Sequence, residues 1–571
     1  MDHNQNHSSP MPKATIQDTT KTMTRLFSGS VSGKTLGHTL RSLLPVTALL
    51  VLPLTTSVWA APETVAEPAV TTQQTNPPRQ PHTKPVTIAL GAEPEAGFDP
   101  IYGWGHYNNP LMQSALLKRD GSLDVVGDLA QSWTLSNDGR TWQVSLKPHL
   151  KFSDGSNVTA QDVAFTYRTA KSAASLYDLT NLDRVEVSSS DSLTFHLKQP
   201  DIAFMDTLAS LAIVPQHAYG PEYAQHPVGS GPYQFVRWQK GQLLELIANP
   251  YYYGKKPDIR HLIIVFSEED SRFSQLLAHQ LDLAAIPPHY VRSLPSNTKL
   301  WSVKSVDNRG IAWPMVAYDG KAIGNDVTSD KAIRTAIDDV IDRDVLVQGL
   351  LEGHARPAYS IADSLPWNSA PTKIVHASLD EAKQLLDNAG WRLHDGVREK
   401  NGVKAQFTLY YKSGDSIREQ LTLTVAQMIK PLGIIVDTKG TSWENISKVM
   451  HREPVLFGFG ALSPSEMRYT YHSDYRGVDF YNSGYYQNRQ VDMLLDKAQS
   501  AASWSQSMPY YRQAQTLIYT DEPWTWLVNL QHLYAGNPCL DLATPMVEPH
   551  DHGWPLTNNI VDWTWVCPDP S

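Results

Sequence analysis

The feature that most limits how this chain can fold is the position of its one long apolar run. Leu43 to Val58 (LLPVTALLVLPLTTSV) lies near the start, ahead of more than five hundred residues that contain nothing comparable. Scattered cations, among them Arg25, Lys34 and Arg41, precede it, and it ends in Val58-Trp59-Ala60, where small residues suit signal peptidase. Residues 1–60 therefore read as a signal peptide with a long amino-terminal region, cleaved after Ala60. A retained anchor is the competing reading, but Pro45, Pro53 and the threonines make this run a poor membrane span. Met23 offers an alternative start that gives a signal of more usual length. Everything after it must bury its own core in water, in the periplasm.

Removing residues 1–60 leaves 43 basic against 56 acidic side chains, a formal charge of −13, with both signs interspersed. Such a balance argues against nucleic acid as a partner. The chain is too long for one hydrophobic core, so two or more domains are expected. Cys539 and Cys567 are the only cysteines, and in an oxidising compartment they are expected to pair. No cysteine follows the apolar run, so a lipid anchor there is excluded.

Residues 61–84 are rich in Pro, Thr and Gln without apolar periodicity and read as a flexible linker. The fold then opens with a strand at Val86–Leu90, a Gly- and Pro-bearing loop to Gly105, and a helix expected over Leu111–Leu117. Strands at Trp133–Leu135 and Thr141–Leu146 flank the turn Ser136-Asn137-Asp138-Gly139, a hairpin signal. Thr159 is placed to cap a helix running through Val163 and Tyr167. A second pair of strands is expected at Val185–Val187 and Ser192–Leu197. Apolar periodicity predicts helices over Lys331–Val340, Leu379–Ala389, Ile417–Met428 and Val491–Ser500, between strands such as Phe407–Tyr411 and Ile434–Thr438. The class is α/β, with no internal repeat.

Catalytic signatures are absent or accidental. Gly29 to Gly33 has Val31 where a nucleophile elbow needs serine, and it lies in the presequence. Gly33-Lys34-Thr35 lacks the upstream glycine of a phosphate loop, and neither H-E-x-x-H nor C-x-x-C occurs. A secreted hydrolase is thus a remote alternative, and the chain is read as no enzyme.

Several segments, in order, carry a more specific message: Gly127 to Trp133 (GDLAQSW), Ser136 to Trp142 (SNDGRTW), Lys151 to Val163 (KFSDGSNVTAQDV), Gly229 to Tyr233 (GSGPY) and Asn249 to Tyr253 (NPYYY). Ala332-Ile333-Arg334 with Ile341-Asp342-Arg343, and Ala382 to Trp391 (AKQLLDNAGW), follow. Together they make the chain resemble family 5 of the extracellular solute-binding proteins of ABC importers, over essentially all of residues 85–571. The resemblance implies a two-lobed periplasmic binding protein fold with a ligand cleft between the lobes. It places the first lobe at 85–315, with an inserted subdomain at about 126–225, the second lobe at 316–524, and a return to the first lobe at 525–571. Crossings are expected near Trp313–Tyr318 and Pro523–Val528. The implied partner is an inner-membrane ABC permease with its ATPase, served by a monomer with no intrinsic cofactor.

Two ligand classes compete. Peptide binders of this family hold the peptide amine with an aspartate, but the corresponding run Phe457 to Pro464 (FGFGALSP) contains no carboxylate, which leaves Glu466 as a substitute. Other segments look like the nickel-binding branch: Gly91 to Tyr107 (GAEPEAGFDPIYGWGHY), Gly460 to Ser473 (GALSPSEMRYTYHS) with Tyr481 to Tyr486, and Val547 to Leu556 (VEPHDHGWPL). There the cargo would be nickel(II) as a small organic chelate such as a nickel–histidine complex, with His550 or His552 as the protein's metal ligand. The plainer alternative is that both histidines cap a surface loop. Carboxylates of the chelate call for an arginine, Arg418 first and Arg468 second, either of which could instead be a surface residue. Trp104 and Tyr107 would give an otherwise apolar cleft an aromatic wall or, failing that, simply pack. Neutral imidazole is needed for ligation, so binding is expected to weaken as pH falls through about 6.5.

Overall fold

The computed structural model describes residues 82–107, 111–173, 175, 177–369, 378–478, 480–550 and 553–568. These belong to the compact unit Pro77–Ser571. The signal peptide, nearly all of the linker, and His552 lie outside the described residues. Among the described residues no helix is long and apolar enough to cross a membrane.

Two long strands, Lys299–Ala312 and Trp524–Gly536, organise the molecule. They pair antiparallel and stand in the middle of an eleven-stranded sheet. On one side of the pair, Trp524–Gly536 is followed in order by Leu283–Ala285, Val86–Ala89, His261–Val265, Leu243–Ala248 and Tyr233–Gln239. On the other, Lys299–Ala312 is followed by Val455–Phe457, Gln406–Lys412 and Ile435–Thr441. Leu283–Ala285 pairs with the Gly536 end of Trp524–Gly536, and Val455–Phe457 pairs with the Ala312 end of Lys299–Ala312.

Burial explains the strand sequences. Val86–Ala89 (VTIA) is buried except for half-buried Thr87, as suits a strand parallel to both neighbours. Gln406–Lys412 instead alternates exposed or half-buried with buried residues, the pattern of a strand with one face against helices. The periodic helices form at Lys331–Val340, Leu379–Asn388, Ser416–Ile429 and Arg489–Gln499.

A separate four-stranded antiparallel sheet orders Ala130–Leu135, Thr141–Leu146, Ser192–Leu197 and Leu182–Val187. It packs through Trp142, Phe195 and Leu193 against Tyr167 and Phe204 of the helices Ala160–Ser172 and Phe204–Ser210. Thr159 caps the longer helix in a reciprocal box with Asp162, an arrangement that contributes about 1 kcal/mol.

One expected element does not form. Residues 111–116 make no helix; they run as a turn and coil into the strand Leu117–Arg119. Their carbonyls are taken by another segment: Gly231 N–H donates to Met112 O (2.9 Å) and Tyr233 N–H to Leu111 O (3.4 Å). A Cβ on Gly231 would lie 2.6 Å from Leu111 O, so only glycine permits that approach. At the carboxyl end the Cys539–Cys567 disulfide is present, beside the short strand pair Leu540–Asp541 and Thr564–Trp565.

Candidate functional site

The paired central strands are not regular. Their register passes from Lys304–Gln531 to Asn308–Asn529, so Ser305, Val306 and Asp307 face Leu530 alone. A bulge of this kind re-aims side chains, and its backbone groups must find other partners. They find the segment around Glu548: Glu548 N–H donates to Lys304 O and Val306 N–H to Glu548 O, both at 2.9 Å. Two residues on, His550 N–H donates to Gly460 O of the second lobe, also at 2.9 Å. The loop Phe459–Ser463 in turn lies on the bulged strand: Asn308 N–H donates to Phe459 O at 2.9 Å, and Phe459 N–H donates to the Asn308 side-chain oxygen at 3.0 Å. A Cβ on Gly460 would stand 2.6 Å from Val306 O, which accounts for glycine in that run.

This stitching gathers charges from distant parts of the sequence around Asp307, whose side chain is 4% exposed. Arg309 pairs with one oxygen, to which His550 Nδ1 also donates at 2.7 Å; His532 Nε2 donates to the other at 3.0 Å. Burial by itself would raise the Asp307 carboxyl, but Arg309 and the two imidazoles hold it well below the usual range. His532 also bonds Glu548 through Nδ1, and Tyr534 donates to the same Glu548 oxygen at 2.7 Å. With carboxylates on both ring nitrogens, His532 must be imidazolium; these bonds overcome the opposing effect of burial and lift it to about 10.

Arg418 reaches this cluster from the second lobe. Asp415 caps the helix Ser416–Ile429 by accepting from Arg418 N–H at 2.8 Å, and its other oxygen pairs with the Arg418 guanidinium. That guanidinium lies 5.4 Å over the Trp443 ring and close enough to Arg309 for the two cations to repel. Arg309 Nε and Arg418 Nε are buried donors without a protein acceptor, as Glu548 Oε1 is an acceptor without a donor. Two guanidiniums with unused donors suit a carboxylate-bearing ligand.

The other expected residues divide. Tyr107 stands edge-on to His550, 6.2 Å between ring centres. Trp104 is buried in the first-lobe core, edge-on to Phe98 and Trp554, with its indole N–H on Gln113 at 3.0 Å. Arg468 joins a different group, paired with Asp496 at 2.7 Å. Glu466 is buried, and both its oxygens are occupied by the N–H groups of Gly460 (3.1 Å) and Ala461 (3.0 Å); burial raises its carboxyl to about 7. The groups gathered around Asp307 are ionic, not apolar.

Sequence reasoning missed Asp307, Arg309, His532 and above all His106. His106 packs on Tyr107 with ring centres 3.9 Å apart, and it lies near enough to His550 for the two to disfavour each other's protonation. Its Nδ1 is 2.9 Å from Gly103 O, which can only accept, so the proton is on Nδ1 and the lone pair on Nε2. His550, donating from Nδ1 to Asp307, has the same tautomer. Burial lowers both, His106 to about 4, so both rings are neutral at pH 7. Among the described residues no three or more His, Cys, Asp or Glu side chains are grouped to hold a metal ion by themselves.

With that geometry in hand, comparison with known proteins is informative. The model for bacterial extracellular solute-binding proteins, family 5, matches residues 124–510. Protein XP55 of Streptomyces lividans is 33% identical over 486 residues, covering 81% of this chain and 86% of that protein. Among solved structures, NikZ of Campylobacter jejuni, in complex with Ni(L-His), superposes with a TM-score of 0.76 at 24% identity, covering 84% of this chain and 99% of NikZ. The oligopeptide-binding protein AppA of Bacillus subtilis, in complex with a nonapeptide, gives 0.72 at 25% identity, covering 86% and 100%.

Proposed function

The chain belongs to family 5 of the bacterial extracellular solute-binding proteins, the substrate-binding components of ABC transporters, and from that premise we propose that it captures nickel(II) as a small organic chelate such as a nickel–histidine complex. The observation that carries this reading is the pair of neutral, Nδ1-protonated imidazoles, His106 and His550, which share Tyr107 as a neighbour beside the Arg309 and Arg418 guanidiniums. A chelate that brings most of its own donors needs only one or two from protein, through Nε2 of these rings. Its carboxylate would lie on the guanidiniums. Hydrogen bonds from Nδ1 to Gly103 O and to Asp307 fix the ring tautomer as metal-ligating histidines require. His552 remains a proposed ligand on sequence grounds alone.

Capture would occur in the periplasm, by a monomer that delivers to an inner-membrane permease and its ATPase, and it involves no catalysis. The lobes proposed for this task are 85–315 with 525–571, and 316–524.

Calorimetry with nickel(II) and L-histidine tests the reading. The wild type should bind the mixture. His106→Ala and His550→Ala should each lower its affinity at least tenfold while leaving any nonapeptide binding unchanged. A wild type that ignores nickel with and without histidine would sink it. The second reading, peptide binding, draws on the likeness to AppA. In that case Arg309 and Arg418 would receive the peptide carboxylate, and the amine would need an anchor other than Glu466, whose oxygens are both engaged by backbone N–H groups.

A further inference from the structure

Away from the Asp307 cluster, a second set of contacts joins the four-stranded subdomain to the second lobe. Asp206, on the helix Phe204–Ser210, accepts from Arg119 with one oxygen and from Ser463 Oγ of the second lobe with the other. The side chains are 13% and 9% exposed for Asp206 and Arg119, so the ion pair is covered where the second lobe sits on it. Burial raises the Asp206 carboxyl, and Arg119 and Ser463 oppose that rise. Close by, Ile202 N–H donates to Gln499 O at 2.9 Å, Gln499 Nε2 donates to Asp201 at 3.1 Å, and Tyr475 donates to Asp178 at 3.1 Å. Trp504 packs against the apolar cores of both parts.

We infer that the four-stranded subdomain is a clasp, with Asp206, Asp201 and Asp178 as positioning residues that hold the second lobe shut and so set how long a bound solute is retained. Three aspartates face three neutral donors, Ser463, Gln499 and Tyr475. That arrangement gives charge-assisted hydrogen bonds when closed, and opening strands no charge, because Asp206 keeps Arg119, and Arg468, whose charge is felt at Asp201, is already paired with Asp496. The clasp also connects with the cargo site. Ser463 ends the loop that begins at Phe459, and Gly460 in that loop accepts the His550 N–H. A shift of the loop at one end is therefore felt at the other. The inference rests on the family's binding function and on closure, and it is indifferent to which cargo is bound.

Ser463→Ala, Gln499→Ala and the double variant test it in the full-length mature protein. Release of two probes, nickel(II) with L-histidine and a nonapeptide, is followed by stopped-flow tryptophan fluorescence. Hydrogen exchange of the Ile202 amide is followed with and without each probe. The double variant should release a bound probe about a hundredfold faster with its on-rate unchanged, as the loss of two charge-assisted bonds implies. Ile202 should lose protection while amides of the helix Ala160–Ser172 in the same subdomain keep theirs, which separates an opened clasp from an unfolded subdomain. Release within threefold of wild type overturns the inference. So does an Ile202 amide whose exchange is the same in the wild type and the double variant, a comparison of the two proteins that requires neither probe to be the cargo.

Discussion

Asp307→Asn is the perturbation that probes the centre of the site most sharply. The carboxylate receives Arg309, His532 and His550 while nearly inaccessible to water. Neutralising it removes the paired countercharge of the buried Arg309 guanidinium and one of the two carboxylates on His532. Removing one partner from a buried charge pair costs about 3–5 kcal/mol. An unfolding entropy near 2.1 cal/mol/K per residue gives about 1 kcal/mol/K for a folded part of this size, so Tm should fall by about 3–5 °C if the lobes unfold together. The variant also replaces one of the two acceptor oxygens by an NH2 group and leaves the other a weaker, uncharged acceptor, so the bond that fixes the His550 tautomer is weakened or lost; loss of such an outer partner costs about 10–100-fold in metal affinity. Scanning calorimetry measures the first effect and titration with nickel(II) and L-histidine the second. A variant whose Tm stays within 1 °C of wild type would refute the account of Asp307 as the electrostatic hub. One that loses Tm but keeps full nickel–histidine affinity would refute its role in orienting His550.

Two further outcomes follow from ionisation and covalent structure. His532 is raised to about 10 from an unfolded value near 6.5, so its contribution is complete below pH ~6.5 and is lost as pH rises towards 10; Glu466, raised to about 7, adds a penalty that grows as pH rises from ~4.3 to 7. The buried imidazoles of His106 and His550, lowered in the folded state, oppose this below pH ~6.5 but are neutral in both states above it, so from pH 7 to pH 10 the urea midpoint should decline, less steeply in His532→Asn; a midpoint that rises over this range would contradict the assignment. Reducing Cys539–Cys567, which closes a loop with a separation of 28 residues, should cost about 3–4 kcal/mol on the chain-entropy account, visible as a lower Tm in dithiothreitol.

Much of the fold was legible in local pattern. The helices at Lys331, Ser416 and Arg489 announce themselves by apolar spacing, and Thr159 with Asp162 spells out its own cap. Leu111–Leu117 misled because its fate depends on Gly231, more than a hundred residues away, taking its carbonyls. The site was legible only in part, for the same reason. Arg418 and Asp415 are neighbours in a helix start and could be found together, and His550 stands in a polar loop that draws notice. Asp307, Arg309 and His532 sit in strands whose charges look like ordinary surface alternation, and only the bulge turns Asp307 towards partners some 225 and 243 positions distant. A signal did exist: Val306-Asp307-Asn308-Arg309-Gly310-Ile311 places two opposite charges inside a run that is otherwise built to be buried. His106 gave none, since its tautomer and low basicity come from burial and from the Gly103 carbonyl.

The irregular register between the central strands has a mechanical consequence. From Ser305 to Asp307 no backbone rung of the ladder joins the two strands, and side chains bridge them instead, Ser305 to the Leu530 carbonyl and Asp307 to His532. His550 belongs to the segment sewn onto this stretch, and its backbone is tied across to Gly460. A chelate held as proposed would therefore bear on the place where the long strands are tied by side chains and not by their ladder, and a permease could then read occupancy as posture.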